Sequence, residues 1–100
     1  MIFRAFSYSD KNFTVVGNLC FVHIVVIGTE TRFDIPPAIS DRMPYKMMAY
    51  IYPYIPKDGT SGIVAGIVNI GLARIVNGEI ILSGVGEGYV NFCFPIDSNK

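Results

Sequence analysis

The sequence contains few charged residues. Only 16% of its 100 residues are charged, whereas about a quarter is usual for a soluble domain. Lysine and arginine together number eight, as do aspartate and glutamate, so the formal net charge is zero and neither sign forms a run. Phosphate backbones and anionic lipids both require clustered basic residues. We therefore expect no nucleic-acid partner and no polybasic membrane contact.

Long apolar stretches are also missing. A transmembrane helix needs ~20 consecutive apolar residues, and the longest candidate, residues 62–76, is interrupted by Gly66, Asn69 and Arg74. Residues 1–8 lack the basic segment followed by a continuous apolar segment that marks a secretory signal. We therefore expect no membrane insertion and no signal peptide.

Residue types that carry catalysis or bind metals are scarce. His23 is the only histidine, and the two cysteines, Cys20 and Cys93, form no Cys-x-x-Cys pair. We interpret His23 as a core or interface residue with one hydrogen bond, and the cysteines as free thiols, because a disulfide would require their strands to be neighbours. No serine or carboxylate pair has a catalytic signature. We expect no enzymatic activity, no metal and no cofactor.

Apolar residues make up 51% of the chain, and they are densest at residues 17–28. Between the two end glycines, only Asn18 and His23 are polar, and the rest are mostly aromatic or β-branched, which favours a strand. Its alternate positions form two faces, one with Leu19, Phe21, His23, Val25 and Ile27, the other with Cys20, Val22, Ile24 and Val26. Neither face suits water. In so small a domain, we expect the second face to be covered by other subunits or by a second layer.

One hairpin is clear from local sequence. Asn77-Gly78 lies between two alternating apolar segments, and both residues tolerate the positive φ of a type I′ turn. A two-residue loop places Ile75 opposite Ile80. Arg74 and Glu79 then share the opposite face, where we expect a surface ion pair of little energetic weight.

The remaining segments are also short and are separated by turns. Pro36-Pro37 ends one strand, and residues 38–44 are predicted as a loop with one helical turn capped by Ser40-Asp41. Residues 95–100 are predicted to be a polar tail. About seven or eight strands with no convincing helix predict an all-β fold, a single antiparallel, jelly-roll-like β-sandwich spanning residues 1–100.

Tyrosines supply the candidate ligand-binding residues. Tyr50, Tyr52 and Tyr54 share one face of a predicted strand, residues 45–55, and aromatic rings can stack on the C–H faces of sugars. The alternative is that these rings pack in the core or at a subunit interface. Asp58 lies in the most polar loop, and Asp41-Arg42 and the glycine-rich loop at residues 84–88 are further loops of the kind that carry recognition.

The order of motifs resembles a known family across residues 13–95. The motifs are Gly17-Asn18-Leu19-Cys20-Phe21-Val22, Asp34-Ile35-Pro36, Met43-Pro44-Tyr45, Ile75-Val76-Asn77-Gly78-Glu79-Ile80 and Tyr89-Val90-Asn91-Phe92. This series is similar to the C-terminal receptor-binding (head) domains of phage tail-fibre and baseplate proteins. The chain departs from that family in having no tryptophan, and the double proline and the tyrosine stripe have no counterpart in its pattern.

The resemblance implies a β-sandwich head that forms a homotrimer in the virion, next to other tail or baseplate proteins. It implies synthesis in the host cytoplasm, recognition of a host cell-wall saccharide, and a position at the C-terminal end of a longer fibre protein. A trimer would also cover the second face of residues 17–28. Two alternatives stay open. One is a structural trimerisation or capping module without receptor contact, and the other is a small adaptor or capsid-decorating protein that need not be trimeric.

Overall fold

The computed structural model of the chain describes residues 6–28, 30–53, 55–56, 63–64, 67–68, 70–83 and 87–98. Within them the chain forms eleven strands and one short helix, α1 (Pro37–Ser40). The strands are β1 (Tyr8–Ser9), β2 (Phe13–Val16), β3 (Leu19–Val26), β4 (Arg32–Asp34), β5 (Met47–Pro53), β6 (Ile55–Pro56), β7 (Ile63–Val64), β8 (Ile67–Val68), β9 (Ile70–Val76), β10 (Glu79–Ser83) and β11 (Gly88–Pro95).

Nine of the strands belong to two antiparallel sheets. The first has five strands in the order β1-β2-β3-β11-β6, and the second has four in the order β4-β10-β9-β5. β7 and β8 form a separate two-stranded sheet. The prediction of an all-β antiparallel fold is confirmed, and the two main sheets pack as the layers of a sandwich.

The core lies between the inner faces of these sheets. Buried and exposed residues alternate along β2, β3 and β9, as expected for strands with one side in a core. Phe92 of β11 stacks on Tyr50 and Tyr52 of β5, with ring centroids 5.9 and 5.8 Å apart, and so joins the two sheets. The buried apolar residues are Phe13, Val15, Cys20, Val22, Ile24, Val26, Ile35, Ile39, Met43, Tyr52, Ala73, Ile75, Ile80, Leu82, Val90, Phe94 and Ile96.

The central apolar segment forms β3, and its positive-φ glycines, Gly17 and Gly28, flank the strand. The face that includes Cys20 and Ile24 is fully buried in the sandwich. The opposite face, which includes Phe21 and Val25, points outward. The four-stranded sheet packs against only one side of the five-stranded sheet, and this packing determines which face of β3 is buried.

The β9–β10 hairpin has the predicted register, with Ile75 opposite Ile80. Its ion pair differs from the prediction. Glu79 pairs with Arg32 of β4 at 2.7 Å and not with Arg74, because β4 lies on the other side of β10 and places Arg32 within reach. This pair is largely solvent-exposed and contributes little to stability.

Two local predictions are corrected. Helix α1 begins at Pro37 after Pro36, with no side-chain cap, and Ser40 lies at its end. Proline suits the first turn because the N–H it lacks would be unpaired there. The C-terminal segment is not simply a polar tail, since Ile96 and Ser98 are buried. The Ile96 N–H donates to the Asn18 carbonyl at 2.9 Å, which ties the segment to the β2–β3 turn.

Candidate functional site

The predicted tyrosine platform is part of the core. Tyr52 is 1% exposed and Tyr50 is half-buried, and both rings stack on Phe92. Burial also raises the pKa of Tyr50. The even positions of β5 face the other sheet, so the prediction that Tyr52 offers a surface for a saccharide is wrong, and the packing alternative is correct for both rings. Tyr54 and Asp58 lie outside the described residues.

The structure instead forms a polar cleft at one end of the sandwich, where the β4–β5 connection meets the β9–β10 turn. The cleft has a volume of about 360 Å³. We call it the end cleft. Its lining residues are Ser40, Asp41, Met43, Tyr45, Lys46, Asn77 and Gly78.

Backbone hydrogen bonds hold the walls of the end cleft together. The Asn77 N–H donates to the Lys46 carbonyl at 2.9 Å, and the Ile35 N–H donates to the Gly78 carbonyl at 2.8 Å. Asn77 and Gly78 adopt φ values of 50° and 82°, as a type I′ turn requires. Met43, at 9% exposure, provides a buried floor. The backbone of the cleft is therefore pre-formed and needs little ordering on binding.

The side chains around the opening combine an aromatic ring with charged and polar groups. Tyr45 is 65% exposed, and Asp41 and Lys46 are also exposed. Within the described part of the chain, the side chains of these three residues form no hydrogen bond or ion pair. They are therefore free to bind a ligand that has both a flat apolar face and hydroxyl groups.

Sequence reasoning found only part of this cleft. The sequence indicates Asp41 as part of a recognition loop, whereas it assigns no binding role to Tyr45, Lys46 or Asn77. Two local motifs mark the segments that form the cleft, the Asn77-Gly78 turn and the Pro44-Tyr45 dipeptide. Neither signal indicates that the two segments meet, which follows from the pairing of β5 with β9.

A second feature is the outward side of the five-stranded sheet, which we call the outer face. It consists of the outward-pointing residues of β2, β3 and β11: Thr14, Val16, Leu19, Phe21, His23, Val25, Tyr89, Asn91, Cys93 and Pro95. The apolar members include Val16, Phe21 and Val25, which are 62%, 45% and 48% exposed. Exposed apolar side chains on a sheet face are typical of an interaction surface. The outward surface of the four-stranded sheet also exposes apolar residues, among them Met47, Ile51 and Ile70.

The polar centre of the outer face is a pair of side chains. His23 Nδ1 and Asn91 Oδ1 lie 2.6 Å apart, and the two residues are opposite each other on β3 and β11. The prediction that His23 makes one hydrogen bond agrees with this contact. The Asn91 carbonyl oxygen accepts, so the imidazole donates from Nδ1.

The cysteines are both free thiols, as predicted. Their strands are neighbours, but Cys20 points into the core and Cys93 points to the outer face, because they lie on opposite sides of one sheet. Burial, assisted by the nearby Asp10 and Cys93, raises the pKa of Cys20 to about 12. The Cys20 thiol therefore stays protonated and poorly nucleophilic at neutral pH.

Metal sites and membrane-spanning helices are not formed by the described residues. There, no group of three or more histidine, cysteine, aspartate or glutamate side chains is arranged to hold a metal ion. The same part of the chain contains no helix of the length and hydropathy needed to cross a membrane. No protein-family model, curated protein or solved structure matches the chain.

Proposed function

We propose that the chain is the receptor-binding head of a phage tail fibre or baseplate, that it forms a homotrimer, and that it binds a saccharide of the host cell surface. The observation that carries the proposal is the end cleft, in which unengaged polar side chains surround an exposed tyrosine ring. The β-sandwich and the sequence motifs support the assignment to a virion head.

The chemistry of the end cleft suits a sugar ring. The Tyr45 ring offers a flat apolar surface to sugar C–H groups. The Asp41 carboxylate accepts hydrogen bonds from hydroxyls, and the Lys46 ammonium donates to hydroxyl or ring oxygens. Such charge-assisted hydrogen bonds are stronger than neutral ones.

The balance of charge in the cleft favours an uncharged saccharide. Among the described residues, Asp41 and Lys46 are the two charged residues in its lining, and they have opposite signs. A phosphate-rich polymer would be attracted by the lysine and repelled by the carboxylate, and the part of the chain that the structure describes adds no further basic residue to the lining. We therefore expect neutral wall polysaccharides to bind better than polyanionic ones, with little dependence on salt concentration.

The test is binding of the purified protein to an array of bacterial wall glycans. Tyr45→Ala removes the ring on which the sugar would stack. Asp41→Asn removes a charged hydrogen-bond acceptor, and a hydrogen bond to a charged group contributes ~1.5–3 kcal/mol. Each variant should therefore reduce affinity at least tenfold, about 1.4 kcal/mol. Asp34→Asn changes an exposed aspartate on β4, outside the cleft, and should bind like wild type. Failure of the wild-type protein to bind any host glycan would refute the proposal. Unchanged binding by both cleft variants would exclude the end cleft as the site.

A structural trimerisation or capping module is the second candidate, and the apolar outer face favours it. Such a module needs a surface for assembly but no ligand site. It predicts that the wild-type protein self-associates and binds no glycan, whereas the receptor-binding head must do both.

A further inference from the structure

The two outward surfaces of the sandwich differ in charge. Among the described residues, the outer face contains no lysine, arginine, aspartate or glutamate at any position of β2, β3 or β11. The outward surface of the four-stranded sheet carries four charged residues: Arg32, Asp34, Arg74 and Glu79. Because interface centres are depleted of charge, the outer face has the composition of a surface that becomes buried.

The size of the apolar surface fits a protein interface. Five of its residues, Val16, Leu19, Phe21, Val25 and Tyr89, are between 38% and 62% exposed. At about 150–200 Å² for a whole residue of this size, they leave on the order of 400 Å² of apolar area in water. A standard interface buries ~800 Å² per partner, of which a little over half is apolar. The outer face can supply most of that apolar share.

The two polar side chains at the centre of this face are paired with each other. His23 and Asn91 hydrogen-bond to each other at 2.6 Å in the middle of the face. The backbone groups of β3 are also engaged, since this strand is paired on both sides. Covering the face would therefore keep this hydrogen bond and those of the β3 backbone. His23 Nε2 and the amide N–H groups of Asn91 would need partners from the covering surface, because burying polar atoms without partners is costly.

We infer that the outer face is the surface through which copies of this chain associate, with Phe21, Val25 and Tyr89 buried and the His23–Asn91 pair enclosed at the contact. A second copy is the partner that fits, because the positions of the face on β2, β3 and β11 carry no charge that would repel a copy of itself or select an oppositely charged protein. The outer face would then be the contact surface of the proposed homotrimer, and this inference rests on that proposal.

Sedimentation velocity at micromolar concentration tests the inference with two matched lysine variants. Val25 and Ile51 are both exposed β-branched residues on strands, the first on the outer face and the second on the outward surface of the four-stranded sheet. The wild-type protein and Ile51→Lys should sediment as the same oligomer. Val25→Lys should dissociate into protomers, with self-association weakened at least a hundredfold, because it buries an unpaired charge. A monomeric wild-type protein, an oligomeric Val25→Lys variant, or equal dissociation of both variants would overturn the inference.

A second measurement on the wild-type protein removes any dependence on how Val25→Lys folds. Cys93 lies on the outer face, opposite Phe21 on β3. Its reaction with a thiol reagent should slow at least tenfold when the protein concentration rises through the range in which the oligomer forms. A rate that does not change over that range would overturn the inference. Self-association through this face without glycan binding would leave it intact and refute the receptor-binding proposal alone.

Discussion

Gly71→Ala should destabilise the protein because the Tyr52 ring occupies the space above this glycine. Gly71 and Tyr52 are directly opposite each other on β9 and β5. A β-carbon added at Gly71 would lie 2.5 Å from Tyr52 Cζ and 2.6 Å from its hydroxyl oxygen. The ring cannot swing away easily, because it is 1% exposed and stacked on Phe92.

Two opposing effects determine the magnitude. Replacing glycine by alanine within a strand, with no clash, stabilises a protein by about 0.5–1 kcal/mol. Overpacking a dense core costs about 1–3 kcal/mol, and a gap of 2.5 Å needs the ring or the strand to shift by about 1 Å to reach ordinary contact. We expect the clash to dominate, with a net loss of about 1–2 kcal/mol and a Tm lower by several degrees for a domain of this size.

Urea denaturation at fixed protein concentration measures the effect, and a double-mutant cycle with Tyr52→Leu identifies its cause. In the Tyr52→Leu background, Gly71→Ala should cost much less or become stabilising, because the ring that it meets has been removed. An increase in stability when Gly71→Ala is made in the wild-type protein would refute the packing of Tyr52 over Gly71. An equal cost in both backgrounds would refute Tyr52 as its cause.

Two further predictions concern ionisable groups. Burial tends to raise the pKa of Asp10, but hydrogen bonds from the N–H groups of Asn12 and Phe13, both at 2.8 Å, lower it overall. Stability from Asp10 is therefore present above the ordinary aspartate pKa and lost as pH falls through the lowered value. Asp10→Ala should lower the free energy of unfolding by about 1 kcal/mol at pH 7. Urea denaturation at a series of lower pH values should show a smaller difference between the variant and the wild-type protein. A difference at pH 2 as large as that at pH 7 would contradict the prediction. In the folded protein at pH 8, a thiol reagent should modify Cys93 well before Cys20, whose pKa is about 12. After unfolding, both thiols should react. Equal rates for the two thiols in the folded protein would contradict this.

Much of the fold could be predicted from local pattern. The alternation in residues 13–16 and 19–26 and the Asn77-Gly78 turn are short-range signals, and each produced the expected strand or hairpin. The ion pair of Glu79 could not be predicted, because its partner Arg32 is distant in sequence and is brought close only by the pairing of β4 with β10.

The candidate site was harder to predict than the fold. A stripe of tyrosines at alternate positions is compatible with either an exposed platform or a core layer, and burial of β5 against Phe92 selected the core for Tyr50 and Tyr52. The end cleft depends on two segments that meet through a backbone hydrogen bond between Asn77 and Lys46. Local sequence cannot encode such a meeting.

The sequence alone determined that the chain is all-β, that its central segment is apolar on both faces, and that charge is scarce. These properties follow from composition and from the two-residue period of a strand, which are local. Only the tertiary structure decided that Cys20 and Ile24 face the core while Phe21 and Val25 face outward. Both faces of β3 are apolar, so hydrophobicity could not distinguish them, and the choice came from the packing of the opposite sheet on one side alone.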